Sequence, residues 1–182
     1  YWMIDGQIRG LALPVLTAQE AEEYSKNVGR NIAVPPESAG MENVEARLRH
    51  MDQLGVDVQV LHPTIFIAQV SDRPEVEKAL CRGYNTWMGE VYTKGNGRLA
   101  WSCALPFLDM NNTIEELHFA HKLGACAVFM RPIEENNRLI HDPYFYPMFE
   151  EAQRLGMTIA VHVGNGNPSI VSLFSSEVGF GS

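Results

Sequence analysis

Three residues in this sequence sit where chemistry is expected, and they share one local layout. Leu54-Gly55 leads through an apolar stretch to His62-Pro63, Leu123-Gly124 to Arg131-Pro132, and Leu155-Gly156 to His162. Each reads as a helix end, a glycine in the left-handed cap, a strand, and a polar residue where the strand stops. If the strands are parallel, His62, Arg131 and His162 gather at one rim, where both barrels and open parallel sheets place their ligands. His162 has the most distinctive context. Ile159-Ala160-Val161 precedes it and Gly164-Asn165-Gly166-Asn167-Pro168 follows, and glycine and asparagine let a chain turn sharply beside a ligand. An imidazole there can bind a metal or carry a proton, or it can simply be a hydrogen-bonded rim residue. The same plain reading applies to His62. For Arg131 it is an ion pair with Glu134 or Glu135.

The other histidines have ordinary settings. His50 falls in a helix on an exposed face. His118 and His121 share a helix face without an acidic ligand pattern, and His141 precedes the turn at Asp142-Pro143. The sequence holds no G-x-G-x-x-G, P-loop, G-x-S-x-G or H-E-x-x-H motif.

The elements that must position these residues alternate. Residues 1–15 read as an extended segment or hairpin and a loop. Between 17 and 38 the pattern weakens, with one or two helical turns near 20–26. From Gly40 the chain is regular. A helix over 42–54 places Val44, Leu48 and Met51 on one face. A helix over 73–94 is expected to be capped by Asp72, with Pro74 in its first turn and an apolar stripe of Val76, Leu80, Trp87 and Val91. Thr113-Ile114-Glu115-Glu116 fits a capping box that opens a third helix. Pro147 fits the first turn of a fourth, ending at Leu155-Gly156. Strands are expected at about 56–62, 99–105, 125–131 and 158–163. This order implies an α/β fold with parallel strands joined by helical crossovers, and the wholly apolar run 125–130 suits a strand covered on both faces.

Composition narrows the function classes. The chain has 182 residues, 46% hydrophobic and 20% charged, with a net charge of −8, which fits one globular domain. The acidic balance argues against a nucleic-acid partner, which needs clustered Lys and Arg. No apolar run is long enough to span a membrane, and no N-terminal stretch has signal-peptide order. Cys81, Cys103 and Cys126 form no C-x-x-C pair and read as buried free thiols in a reducing, cytoplasmic setting. The opening at Tyr1-Trp2-Met3 and the stop at Gly181-Ser182 suggest a piece of a larger protein.

From Val44 onward the chain resembles the amidohydrolase-2 branch of the amidohydrolase superfamily, which includes aminocarboxymuconate semialdehyde decarboxylase-like enzymes. The resemblance is carried by Arg47-Leu48-Arg49-His50-Met51-Asp52-Gln53-Leu54-Gly55-Val56-Asp57 leading to Val60-Leu61-His62-Pro63. Arg98-Leu99-Ala100 to Leu105-Pro106, Glu115-Glu116-Leu117 to Gly124-Ala125 and Asp142-Pro143 to Gly156 extend it. Its most specific piece is Ile159-Ala160-Val161-His162-Val163-Gly164. The resemblance implies a TIM (β/α)8 barrel, incomplete as given and seen from its second to its fifth strand, with residues 1–182 as one partial domain and a rim excursion at about 1–40. It implies a divalent metal at the strand-end rim, Zn2+ or alternatively Mn2+, with His162 as the fifth-strand ligand. It also implies decarboxylation or hydrolysis of a small carboxylate-bearing substrate by a homodimer or homotetramer. Within that frame Arg131 is the first candidate for gripping a substrate carboxylate and Arg9 the second. His62 contacts substrate, and Asn165 orients substrate or supports the metal shell.

Two rivals stand beside this. One is a non-catalytic barrel fragment or pseudoenzyme serving as an interaction module, since a catalytic zinc takes about three protein ligands and the sequence shows one. The other is a metal-free α/β enzyme whose arginine and histidines bind an anion.

Overall fold

The computed structural model describes residues 2–9, 17–28, 35–132 and 138–162. The chain opens with an antiparallel hairpin, β1 (Trp2–Ile4) and β2 (Gln7–Arg9), turning at Asp5-Gly6. Helices α1 (Ala18–Val28) and α2 (Pro36–Ala39) follow. The regular part then runs α3 (Val44–Leu54), β3 (Gln59–Leu61), α4 (Pro74–Lys94), β4 (Leu99–Cys103), α5 (Met110–Lys122), β5 (Ala127–Met130), α6 (Tyr146–Arg154) and β6 (Thr158–Val161). Strands β3 to β6 lie in chain order in one parallel sheet. The sheet curls into half of a barrel, as expected of an incomplete TIM barrel.

The repeated glycine layout has a common physical cause. Gly55, Gly124 and Gly156 have φ of +67°, +94° and +70°. At each, the next residue's N–H donates to the carbonyl five residues back: Val56 to Met51 and Met157 to Ala152 at 2.9 Å, Ala125 to Ala120 at 3.1 Å. These are Schellman closures, which satisfy otherwise orphaned helix carbonyls. They also explain why β3 and β5 are shorter than the apolar runs suggested. Val56 and Ala125 finish the preceding helix rather than start a strand. At Gly124 the fit is tightest, because a side chain would run into the Tyr92 ring.

Strand alternation sorts the sheet into two faces. Leu99, Trp101 and Cys103 of β4 and Val128 and Met130 of β5 pack against Met51, Met88, Leu117, Ala120, Met148 and Ala152. All are essentially fully buried, and each large side chain among them contributes about 1.5–3 kcal/mol. The alternate residues turn to the opposite face, which carries the site.

Several expectations are corrected in detail. The weak stretch near 20–26 is an 11-residue helix. Asp72 does not cap α4. Its carboxylate accepts from Gln69 Nε2 at 2.6 Å, while Arg73 N–H donates to Ser71 Oγ at 3.1 Å. The α4 stripe is rotated: Glu77, Cys81, Asn85, Met88 and Val91 are buried, and Trp87 is 41% exposed. The rotation is possible because two polar members find partners. Glu77 accepts from Leu108 N–H at 2.9 Å, and Asn85 bonds both backbone groups of Ala104. The capping box at Thr113 is also replaced. Helix α5 begins at Met110 with Asp109 accepting from Asn112 N–H at 2.8 Å, which leaves Glu116 free to turn inward. His50 is half-buried, with Nδ1 3.5 Å from Ser38 Oγ.

The three cysteines are unpaired, but only Cys81 and Cys103 are buried; Cys126, just before β5, is exposed. Burial pushes the Cys81 and Cys103 thiols well above their ordinary range. A thiol reagent at pH 8 is therefore expected to modify Cys126 first and the other two only on unfolding, read by mass spectrometry of the native protein. Fast labelling of Cys103 would show that the β4 core opens. Burial of these protonated thiols also contributes stability that depends on pH. An unfolded thiol titrates near pH ~8.5, so this contribution is whole below that value and is lost as pH rises beyond it.

Candidate active site at the strand ends

Because β3 to β6 are parallel, their C-terminal ends share one edge, and His62, Arg131 and His162 each follow directly on a strand. Register places them more closely. Leu61 pairs with Trp101, so His62 stands opposite Ser102. Met130 pairs with Val161, and His162 N–H donates to the Met130 carbonyl at 2.9 Å. The ladder thus runs one residue beyond β6 and sets His162 opposite Arg131. By alternation His62, Ser102, Phe129, Arg131 and His162 belong to the face turned away from the helices.

The side chains follow that plan. His62 Nδ1 lies 2.8 Å from Ser102 Oγ. The Phe129 ring stands between the two histidines, its centroid 6.3 Å from His62 and 5.8 Å from His162, inclined 43° and 47°. Phe129 is buried, His62 is exposed and His162 half-buried, so the phenyl ring forms a floor between two accessible imidazoles. Arg131, half-buried, lines a small recess with Glu77, Phe107 and Phe129. A larger cleft of about 900 Å3 opens beside β3, lined by His62, Thr64, Met41, Arg47, Tyr84 and Trp87 among others. Arg47 is held in place there, with Nε donating to Gln59 Oε1 at 2.9 Å and Nη1 to the Ser38 carbonyl at 3.2 Å.

The end of β4 is braced from behind. The Asn85 amide donates to the Ala104 carbonyl at 2.8 Å and accepts from its N–H at 3.0 Å. Asn85 also donates to the buried Glu116 carboxylate at 2.9 Å, and Arg82 Nε donates to the other oxygen at 2.7 Å. The hairpin is tied to the same rim: Asp5 pairs with Arg73 Nη1 at 2.8 Å, at the start of α4.

Of the residues marked from sequence, the structure brings His62, Arg131 and His162 to one edge. Asn165 lies outside the described residues, as do Glu134 and Glu135; Arg9 ends β2, opposite Trp2. His118 pairs with Glu151 at 2.8 Å between α5 and α6, away from the strand ends. Sequence reasoning missed Ser102 and Phe129. The signal for Ser102 was a hydroxyl inside the apolar run 99–105, which needs a partner when buried. Among the described residues no group of three or more His, Cys, Asp or Glu is arranged to hold a metal ion. His162 is one imidazole donor and does not form a coordination sphere with them. Nor is any described helix long and apolar enough to cross a membrane.

The amidohydrolase family profile matches residues 15–179. No curated protein sequence matches the chain. Among solved structures, the chain is similar to 5-carboxyvanillate decarboxylase from Sphingomonas paucimobilis, with 26% identity over 64% of this chain and 34% of that one and a TM-score of 0.57. It is similar in fold to 2,6-dihydroxybenzoate decarboxylase from Rhizobium (22% identity, 72% and 42% coverage, TM-score 0.59). A third is the dihydroxybenzoic acid decarboxylase of Polaromonas sp. JS666, with bound manganese and the inhibitor 2-nitroresorcinol (21% identity, 86% and 50% coverage, TM-score 0.60). The chain thus spans between a third and a half of the length of these proteins. With a parallel half-barrel that carries its histidines and arginine at the strand ends, and a family profile that runs nearly the whole length, this chain belongs to the amidohydrolase family.

Proposed function

We propose that the chain contributes one side of the active site of a metal-dependent decarboxylase acting on a small aromatic acid. The observation that carries the reading is the row of His62, Phe129 and His162 at the strand ends, with Arg131 opposite His162. The likeness to solved decarboxylases supports the reaction class, and the manganese bound in one of them supports a divalent cation.

The reaction breaks the bond between a ring carbon and its carboxylate, releases carbon dioxide and puts a proton on that carbon. Arg131 grips the carboxylate, for which a planar guanidinium is shaped. His62 contacts the ring's polar substituents, Phe129 lies under the ring, and Asn165 helps to orient it. His162 would supply one ligand to a Zn2+ or Mn2+ ion. When bound, such an ion would polarise substrate oxygens and offset their charge. The unpaired cysteines support a reducing, cytoplasmic setting, and the family resemblance supports a homodimer or homotetramer.

The test is carbon dioxide release from a panel of hydroxylated and methoxylated benzoates, before and after exhaustive chelation. Release that stops on chelation and returns with Zn2+ or Mn2+ is expected. Hydrolysis of an ester or amide panel without decarboxylation would move the chain to the hydrolases of the family. Activity indifferent to chelation would favour the metal-free reading.

A further inference from the structure

At the end of β3 the Ser102 hydroxyl lies within hydrogen-bond reach of two groups, the Leu61 carbonyl and the His62 ring. The Leu61 carbonyl can only accept. Ser102 Oγ lies 3.4 Å from it and can give its hydroxyl hydrogen there. When the hydroxyl hydrogen goes to that carbonyl, Ser102 accepts at its closer contact, His62 Nδ1 at 2.8 Å; the opposite order, in which the hydroxyl donates to an unprotonated Nδ1, is the arrangement the test must exclude. In the first order Nδ1 carries the ring proton and Nε2 keeps its lone pair. Ser102 is fully buried, so bulk water does not compete for the hydroxyl. Its carbonyl accepts the Tyr84 hydroxyl at 3.3 Å, which ties this point of β4 to α4. Phe129 flanks the imidazole, with ring centroids 6.3 Å apart.

We propose that Ser102 is a positioning residue that locks His62 in its Nδ1–H form and so presents Nε2 at the strand-end face as an acceptor for a substrate hydroxyl group. The substrate clause rests on the function proposed above; the tautomer does not. The proposal also specifies a preference. An acceptor nitrogen selects a ring bearing a hydroxyl over one bearing a methoxy group at the same position, because the ether has no hydrogen to give and leaves the nitrogen unpaired.

The test is long-range proton–nitrogen NMR on the full chain labelled with 15N-histidine, at about pH 8 where an ordinary imidazole is neutral. The His62 signals are assigned by their loss in His62→Gln. The Nδ1–H pattern is expected in the unaltered protein. Ser102→Ala should shift the ring toward Nε2–H, and Ser102→Thr, which keeps a hydroxyl, should retain Nδ1–H. An Nε2–H ring in the unaltered protein overturns the proposal even if no variant folds, and so does a tautomer indifferent to Ser102→Ala. In turnover of a hydroxylated benzoate, Ser102→Ala should cost about 10- to 100-fold in kcat/KM, on the scale set by partners that orient metal-bound histidines, with metal content unchanged. In a His62→Gln background the same change should cost almost nothing further, since the two act as one unit. An undiminished second loss would reduce Ser102 to a packing role. If replacing His162 leaves metal and turnover intact while His62 remains Nδ1–H, the function reading fails and the tautomer assignment stands.

Discussion

Alanine at position 162 is expected to leave the fold intact and to cut the affinity of the protein for its divalent metal by about two orders of magnitude, with turnover falling at least as far. The argument rests on what His162 does and does not hold. Its backbone N–H makes the ladder bond to Met130, and alanine keeps that. Its ring is half-buried, and its contact among the described residues is with Phe129. Trimming it should therefore change stability by less than about 1 kcal/mol. A zinc site of four ligands binds with about 10–16 kcal/mol, so one ligand carries on the order of 3 kcal/mol, or about 100-fold. His118→Ala is the control, because His118 pairs with Glu151 between two helices and should change neither metal nor turnover. Elemental analysis of the purified variants, beside a thermal melt, separates lost metal from lost fold. A His162→Ala protein with full metal content and unaltered turnover would sink both the ligand assignment and the reading built on it.

The parts of this molecule legible in its sequence are those that local chemistry decides. A helix that ends in a left-handed glycine and passes into a strand needs only neighbouring residues, so the layout at Gly55, Gly124 and Gly156 could be read directly, with the parallel order and the strand-end edge that follow from it. The parts not legible are those that partners distant in sequence decide. Thr113 to Glu116 is a sound capping box on local grounds, yet Asp109 caps the helix and Glu116 goes to Arg82 and Asn85 more than 30 residues away. The α4 stripe was drawn through apolar residues. The buried face instead runs through Glu77 and Asn85, whose partners are backbone groups after β4. The site shows the same division. The edge on which His62 and His162 stand follows from strand direction, whereas the Ser102 partner of His62 depends on the register between two strands.

Glu116 offers the sharpest test of that distant wiring, through its contrast with the residue before it. Both glutamates meet Arg82, but Glu116 is wholly buried and Glu115 is 57% exposed. Glu115 also pairs with Lys78 at 2.8 Å, and these cations hold its carboxyl below the usual range. Counting ion pairs would make Glu115 the more valuable residue. Solvation reverses the order, since exposed pairs are screened and contribute about 0–1 kcal/mol. Replacing Glu116 with alanine leaves an Asn85 N–H without its acceptor in the core and an arginine without its closest counter-charge. Removing one partner of a buried pair costs about 3–5 kcal/mol; Arg82 is partly exposed, which favours the lower end. Urea unfolding should therefore show Glu116→Ala losing about 3 kcal/mol and Glu115→Ala less than about 1, with no change in the denaturant slope. Equal losses would mean that the carboxylate behind β4 is solvated in solution. If the loss is as large as expected, its effect should reach the site, because Asn85 fixes Ala104, two residues beyond the Ser102 that orients His62. The His62 tautomer should then become mixed in Glu116→Ala and stay single in Glu115→Ala.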